Sequence, residues 1–99
     1  MIVEYLRYTI PQNRQTDFIK HYKEATTPLL ESPYCQAFEL CQCSEDSSQF
    51  IIRIEWTSAD DHLKKFRTSA EFKKFLSYIS PYIKDIDEMR HYEQLSTAP

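Results

Sequence analysis

Few side chains in this sequence could do chemistry near neutral pH. His62 follows Thr57-Ser58-Ala59-Asp60-Asp61, in the first turn of an expected helix. A helix N-terminus disfavours an imidazolium and keeps the ring ready to accept a proton, so His62 is a candidate general base. The same ring could instead cap a loop carbonyl. Trp56 closes an apolar run six residues earlier and offers an aromatic wall with one N–H donor, or simply a large core side chain. Tyr22 and Tyr82 fall where a pocket between a helix and a sheet would have its wall and its mouth, each with a phenolic hydroxyl to offer. His91, within Glu88-Met89-Arg90-His91-Tyr92, is expected to pair across a sheet with Glu4 or Glu39. Cys41 and Cys43 lie two apart on one strand face with no second Cys or His pair at ligand spacing, so no metal is expected there. No Ser-His-Asp nucleophile set or paired-carboxylate site is present.

Composition narrows the field. The chain has no glycine, which excludes the phosphate-cradling loops that need glycine for close backbone approach. Its formal charge of −3 is spread over interspersed acids and bases, so neither nucleic acid nor an anionic membrane is an expected partner. Met1-Ile2-Val3-Glu4 does not start a secretory signal, and no window approaches the roughly 18 apolar residues of a membrane span, which points to a cytoplasmic protein. Three closely spaced cysteines are a poor disulfide framework and read as reduced thiols. With 99 residues, 41% of them apolar, one domain over residues 1–95 and a polar tail at 96–99 are expected.

The elements that must position these residues follow from periodicity. Ile2 to Ile10 reads as a strand stopped by Pro11. Phe18, Tyr22, Ala25 and Leu29 trace one stripe of a helix from about Asn13 to Glu31, with a kink or early end expected near Thr27 because Pro28 lacks an amide. Cys35 to Ser44 and Gln49 to Trp56 flank Glu45-Asp46-Ser47-Ser48 as a hairpin. Ser58 is a plausible N-cap for a second helix, broken near Thr68 and resumed under a Ser69 cap. After a turn at Pro81, Glu88 to Leu95 reads as the last strand.

The order β-α-β-β-α-β predicts an α+β, ferredoxin-like sandwich: a four-stranded antiparallel sheet with helices on one face. On the third strand Phe50, Ile52, Ile54 and Trp56 share one face, opposite Ile51, Arg53 and Glu55, while Val3, Tyr5, Arg7 and Thr9 share a face of the first. A face that mixes Tyr, Ile, Arg and Glu is too apolar for water and too charged for a core, which predicts a homodimer through sheet packing, with Arg7 or Arg53 paired to Glu55 or Glu39.

The segment Ile54-Glu55-Trp56-Thr57-Ser58-Ala59-Asp60-Asp61-His62-Leu63, followed by Phe66-Arg67-Thr68-Ser69-Ala70-Glu71-Phe72, resembles the signature of the antibiotic biosynthesis monooxygenase family. Element order, hairpin position and Pro81-Tyr82 before the last strand extend the resemblance over essentially the whole chain. It implies a dimeric α+β barrel with a pocket between sheet and helices, where cofactor-independent members oxidise quinol-like or anthrone-like aromatics. Trp56 matches the family's pocket tryptophan, and His62 stands where one characterised type carries a tyrosine. Ile52 stands where that type has an asparagine that positions substrate or peroxide, a departure that favours the alternative of a non-catalytic binding or dimerisation module. The haem-degrading relatives' pattern is absent, since the corresponding neighbourhoods offer Leu6, Lys65 and Phe75.

Overall fold

A computed structural model describes all residues, 1–99. Its elements are β1 (Ile2–Thr9), α1 (Gln12–Glu31), β2 (Cys35–Gln42), β3 (Gln49–Trp56), α2 (Ala70–Ile79) and β4 (Ile86–Glu93). The sheet runs β2-β3-β1-β4 and every neighbouring pair is antiparallel. The expected ferredoxin-like sandwich is therefore what the chain forms.

β1 sits inside the sheet, and strand alternation sends Glu4, Leu6 and Tyr8 toward the helices. They pair with Ile54, Ile52 and Phe50 of β3, so a continuous row of side chains faces α1 and α2. Phe18, Tyr22, Ala25 and Leu29 of α1 are buried on that row, as their spacing predicts.

The boundaries of β2 and β4 differ from expectation, whereas α1 reaches Glu31 as expected, through Pro28 and without an early end near Thr27. Proline removes one helical rung only three residues from the helix end, and burial of Pro28 and Leu29 holds the last turn by packing. β2 stops at Gln42 instead of Ser44, where the 45–48 turn begins to be pinned by Gln42 Nε2 donating to the Ser47 carbonyl. β4 begins at Ile86 and ends at Glu93, two residues ahead of the expected register. A 3-10 turn over Ser80–Asp85 delivers the chain directly to the sheet, and the Gln94 amide closes on the Met1 carbonyl, leaving Leu95 in solvent.

Between β3 and α2 the chain makes a wide π-type turn, Asp61–Lys65, then a 3-10 turn, Phe66–Thr68. Ser58 Oγ caps the first by accepting from the Asp61 amide at 2.9 Å. Ser69 Oγ caps α2 by accepting from the Phe72 amide, so the break near Thr68 is present. On the open face of the sheet, Arg53 pairs with Glu55 at 2.9 Å, while Arg7 turns to Asp87 on the neighbouring strand instead of to Glu55 or Glu39. No helix is long and apolar enough to cross a membrane.

Candidate active site

The last residue of β3, Trp56, and the alternation of β1 together create the polar end of the core. Glu4 lies in the helix-facing row of β1, and His91 is its direct partner across the β1/β4 ladder. The pairing expected for His91 is thus made with Glu4 and not with Glu39. His62 and Phe66, four residues apart through the wide turn, both point inward. The His62 imidazole lies flat on the Trp56 indole, ring centroids 4.3 Å apart and planes 13° from parallel.

Three elements thereby bring one carboxyl and two imidazoles together. Trp56 Nε1–H donates to Glu4 Oε1 at 3.1 Å. His62 Nε2 stands 3.6 Å from the same oxygen, and its Nδ1 shares a hydrogen bond of 2.8 Å with His91 Nε2. His91 Nε2 is 3.9 Å from Glu4 Oε2. Glu4 and His62 are each only 3% exposed, and His91 is half-buried.

Burial governs their protonation. Loss of water pushes the Glu4 carboxyl up to about 7, against the lesser opposing effects of the Trp56 hydrogen bond and the Arg67 charge. Burial holds His62 down to about 3, helped by the charge of Arg67 and by His91; His91 is lowered for the same first reason. The favoured arrangement is a carboxyl near its midpoint at neutral pH beside neutral imidazoles, because desolvating two charges costs more than their attraction returns. That is the protonation state a general base needs.

Glu4 and His62 of the cluster line a cavity of about 240 Å3, whose walls include Trp56, Phe66, Phe72, Leu76 and Ile83 and which the exposed Arg67 also lines. Of the side chains singled out from the sequence, Trp56 and His62 line this cavity together. Tyr22, Ile52 and Tyr82 are not brought to it. Tyr22 is fully buried with its hydroxyl on that of Tyr8, Tyr82 joins His21 Nδ1 at 2.6 Å, and Ile52 is sealed in the mid-core. The reason is Phe18, whose ring packs against Tyr8, Tyr22, Phe50 and Tyr82 and fills the space where a pocket at those tyrosines would have been.

Glu4 is the residue that sequence reasoning passed over as anything beyond a pairing partner. Its signal was available: alternation places one acid among Ile2, Leu6, Tyr8 and Ile10 in an otherwise apolar row. Glu4, His62 and His91 also offer one ligand atom each within 4.8 Å of one another, a two-histidine, one-carboxylate donor set of the kind that holds Zn2+ or Fe2+. The surface pair Cys41 and Cys43 has no such company, and both thiols are free.

Comparison with known proteins agrees with this architecture. The family model for antibiotic biosynthesis monooxygenase matches residues 1–78. The uncharacterized protein YczJ of Bacillus subtilis is 18% identical over 96% of this chain and all of its own length. SnoaB, a cofactor-independent oxygenase from Streptomyces nogalater, superposes with a TM-score of 0.80 at 13% identity, covering 99% of this chain and 96% of that one. A Bordetella bronchiseptica protein provisionally called an antibiotic biosynthesis monooxygenase gives a TM-score of 0.78 at 19% identity over 96% and 97% of the two chains. At such identities the superpositions establish the fold, not a shared substrate.

Proposed function

The chain belongs to the antibiotic biosynthesis monooxygenase family, and on that footing we propose that it is a cofactor-independent monooxygenase of a quinol-like or polyketide-like aromatic substrate. The observation that carries this reading is a buried carboxyl, Glu4, held near neutrality by its surroundings at the end of an apolar cavity. Similarity to the SnoaB fold is consistent with it.

The chemistry asks little of the protein. Glu4 takes a proton from an activated ring CH2, that of an anthrone-like ring or of the keto tautomer of a quinol-like phenol, and the resulting carbanion gives one electron to dioxygen. The radical pair joins in a C–O bond, and the peroxide anion is protonated. Removal of the second C–H proton then breaks the O–O bond, leaving a ring ketone and hydroxide that departs as water. One oxygen atom enters the substrate, the other becomes water, and all four electrons come from the CH2 carbon. Trp56 N–H orients the Glu4 carboxyl, which keeps the proton it has taken, the neutral His62 and His91 offer a hydrogen-bonded path along which it can leave, and the aromatic walls exclude water.

The donor set of Glu4, His62 and His91 favours one second reading, a metal-dependent oxygenase using the same cavity. Oxygen uptake by chelator-treated protein on a panel of quinols and anthrones separates the two. Uptake that persists with chelator and falls at least about a hundredfold in Glu4→Gln supports the first reading. Uptake only after Fe2+ is restored transfers the assignment to the metal, and no uptake under either condition leaves a binding module.

The open face supports a homodimer through sheet packing, because Tyr5, Ile51 and Tyr92 stand 38%, 42% and 45% exposed on it. A dimeric mass at micromolar concentration, reduced to that of a monomer by Ile51→Glu, is the expected result by light scattering. A monomeric wild-type mass refutes it.

A further inference from the structure

We infer that Arg67 is an anion-recognition residue of the cavity, so that the substrate is a compact aromatic carrying an acidic group. The inference rests on the reading of this cavity as the substrate site and adds the class of molecule that enters it.

Three observations converge. First, eleven of the fourteen residues lining the cavity are hydrophobic, and the exceptions are Glu4, His62 and Arg67. Glu4 and His62 already hydrogen-bond Trp56 and His91, which leaves Arg67 as the one polar lining residue without a protein partner. Second, Arg67 lacks the partner its counterparts have. Of the chain's five arginines, Arg7, Arg14, Arg53 and Arg90 each stand within ion-pair distance of an acid, and Arg67 alone does not. It is exposed, yet it lines the same cavity as Glu4 and His62. A planar fork of donors beside apolar walls suits a carboxylate, which it can bind through two parallel hydrogen bonds. Third, the cavity is small. At about 240 Å3 it lies just under the range of roughly 300 to 1,000 Å3 usual for drug-sized ligands, which suits a compact ring system.

Together these orient the substrate. Its acid group meets Arg67, its rings lie along Phe66 and Phe72, and its reacting position faces Glu4.

The test is calorimetric titration of the chelator-treated full chain with 1-hydroxy-2-naphthoate, its neutral analogue 1-naphthol, and anthrone. The naphthoate should bind about tenfold or more tightly than the naphthol, as expected for hydrogen bonds to a charged group. Arg67→Gln should remove that preference and leave naphthol binding unchanged, Arg67→Lys should keep part of it, and Lys64→Gln, on an exposed side chain paired with Asp60, should keep all of it. Equal affinities in the wild type, a preference that survives Arg67→Gln, or neutral anthrone binding as tightly as the naphthoate overturns the proposal. Arg67-dependent naphthoate binding without oxygen uptake on any quinol acid refutes the oxygenase reading and spares this one. Uptake on neutral quinols by a wild type that shows no preference for the naphthoate does the reverse.

Discussion

The two ends of the layer between sheet and helices are built from the same kinds of residue and do opposite things. At one end Phe18 meets Tyr8, Tyr22, Phe50 and Tyr82, and the hydroxyls satisfy one another or His21, leaving no room for a ligand. At the other, Trp56, Phe66 and Phe72 form walls that do not close, and among them stand a carboxyl and an imidazole hydrogen-bonded to Trp56 and His91. Aromatic content therefore does not mark a site. What separates the ends is incomplete packing together with ionisable groups whose charge is costly to bury.

The largest effect that would break this comparison comes from the filled end. Phe18→Ala removes the ring that four aromatic neighbours share and should cost about 3 to 5 kcal/mol in urea unfolding. A loss under about 1 kcal/mol would mean that the two ends are equally loose.

Much of the fold was legible in particular residues. Alternation bounded by the 45–48 turn marked β3 at Gln49–Trp56, and Ser69 marked the start of α2, because both signals are local. The Phe18, Tyr22, Ala25, Leu29 stripe was equally local, whereas the continuation past Pro28 depended on what packs against it. The site was legible only in part. Trp56 and His62 were visible because one short segment carries both, but Glu4 and His91 join them from separate strands through sheet register. Tyr22 and Tyr82 looked as promising as Trp56 until Phe18 decided which end of the layer would be filled. Arg67 gave no pattern at all, since an exposed cation on a helical segment is ordinary.

The next effect sharpens the polar end through pH. Glu4 is raised from 4.5 to about 7, so between those values the folded chain keeps a proton that the unfolded chain has released, and stability falls as pH rises. His62, held down to about 3, has the opposite sign. From there to 6.5 the unfolded chain takes up a proton that the fold refuses, and stability rises with pH. In the wild type the two largely cancel where they overlap. Glu4→Gln removes only the first, so its stability relative to wild type should grow by about 3 kcal/mol between pH 4.5 and 7 and then level off. Unfolding midpoints of both proteins across that range measure it. A difference that stays flat would mean that Glu4 is ionised throughout, and the base at the cavity end would lose its physical basis.

The smallest effect in stability is the most telling about function, because it converts one end of the layer into the other. Leu76 lines the cavity from α2 and is only partly buried, so a larger ring at this position can grow into existing space instead of displacing neighbours. Leu76→Phe should therefore change stability by less than about 1 kcal/mol, unlike a ring forced into a filled core. It should also abolish naphthoate binding while leaving the unfolding signature of the Glu4 and His62 pair in place. If binding survives, the ligand lies elsewhere, and the open-face groove beside Tyr5, Ile51 and Tyr92 becomes the place to look. If binding is lost together with the pH signature, the substitution has disturbed the cluster itself, and the cavity and its titrating end are one mechanical unit.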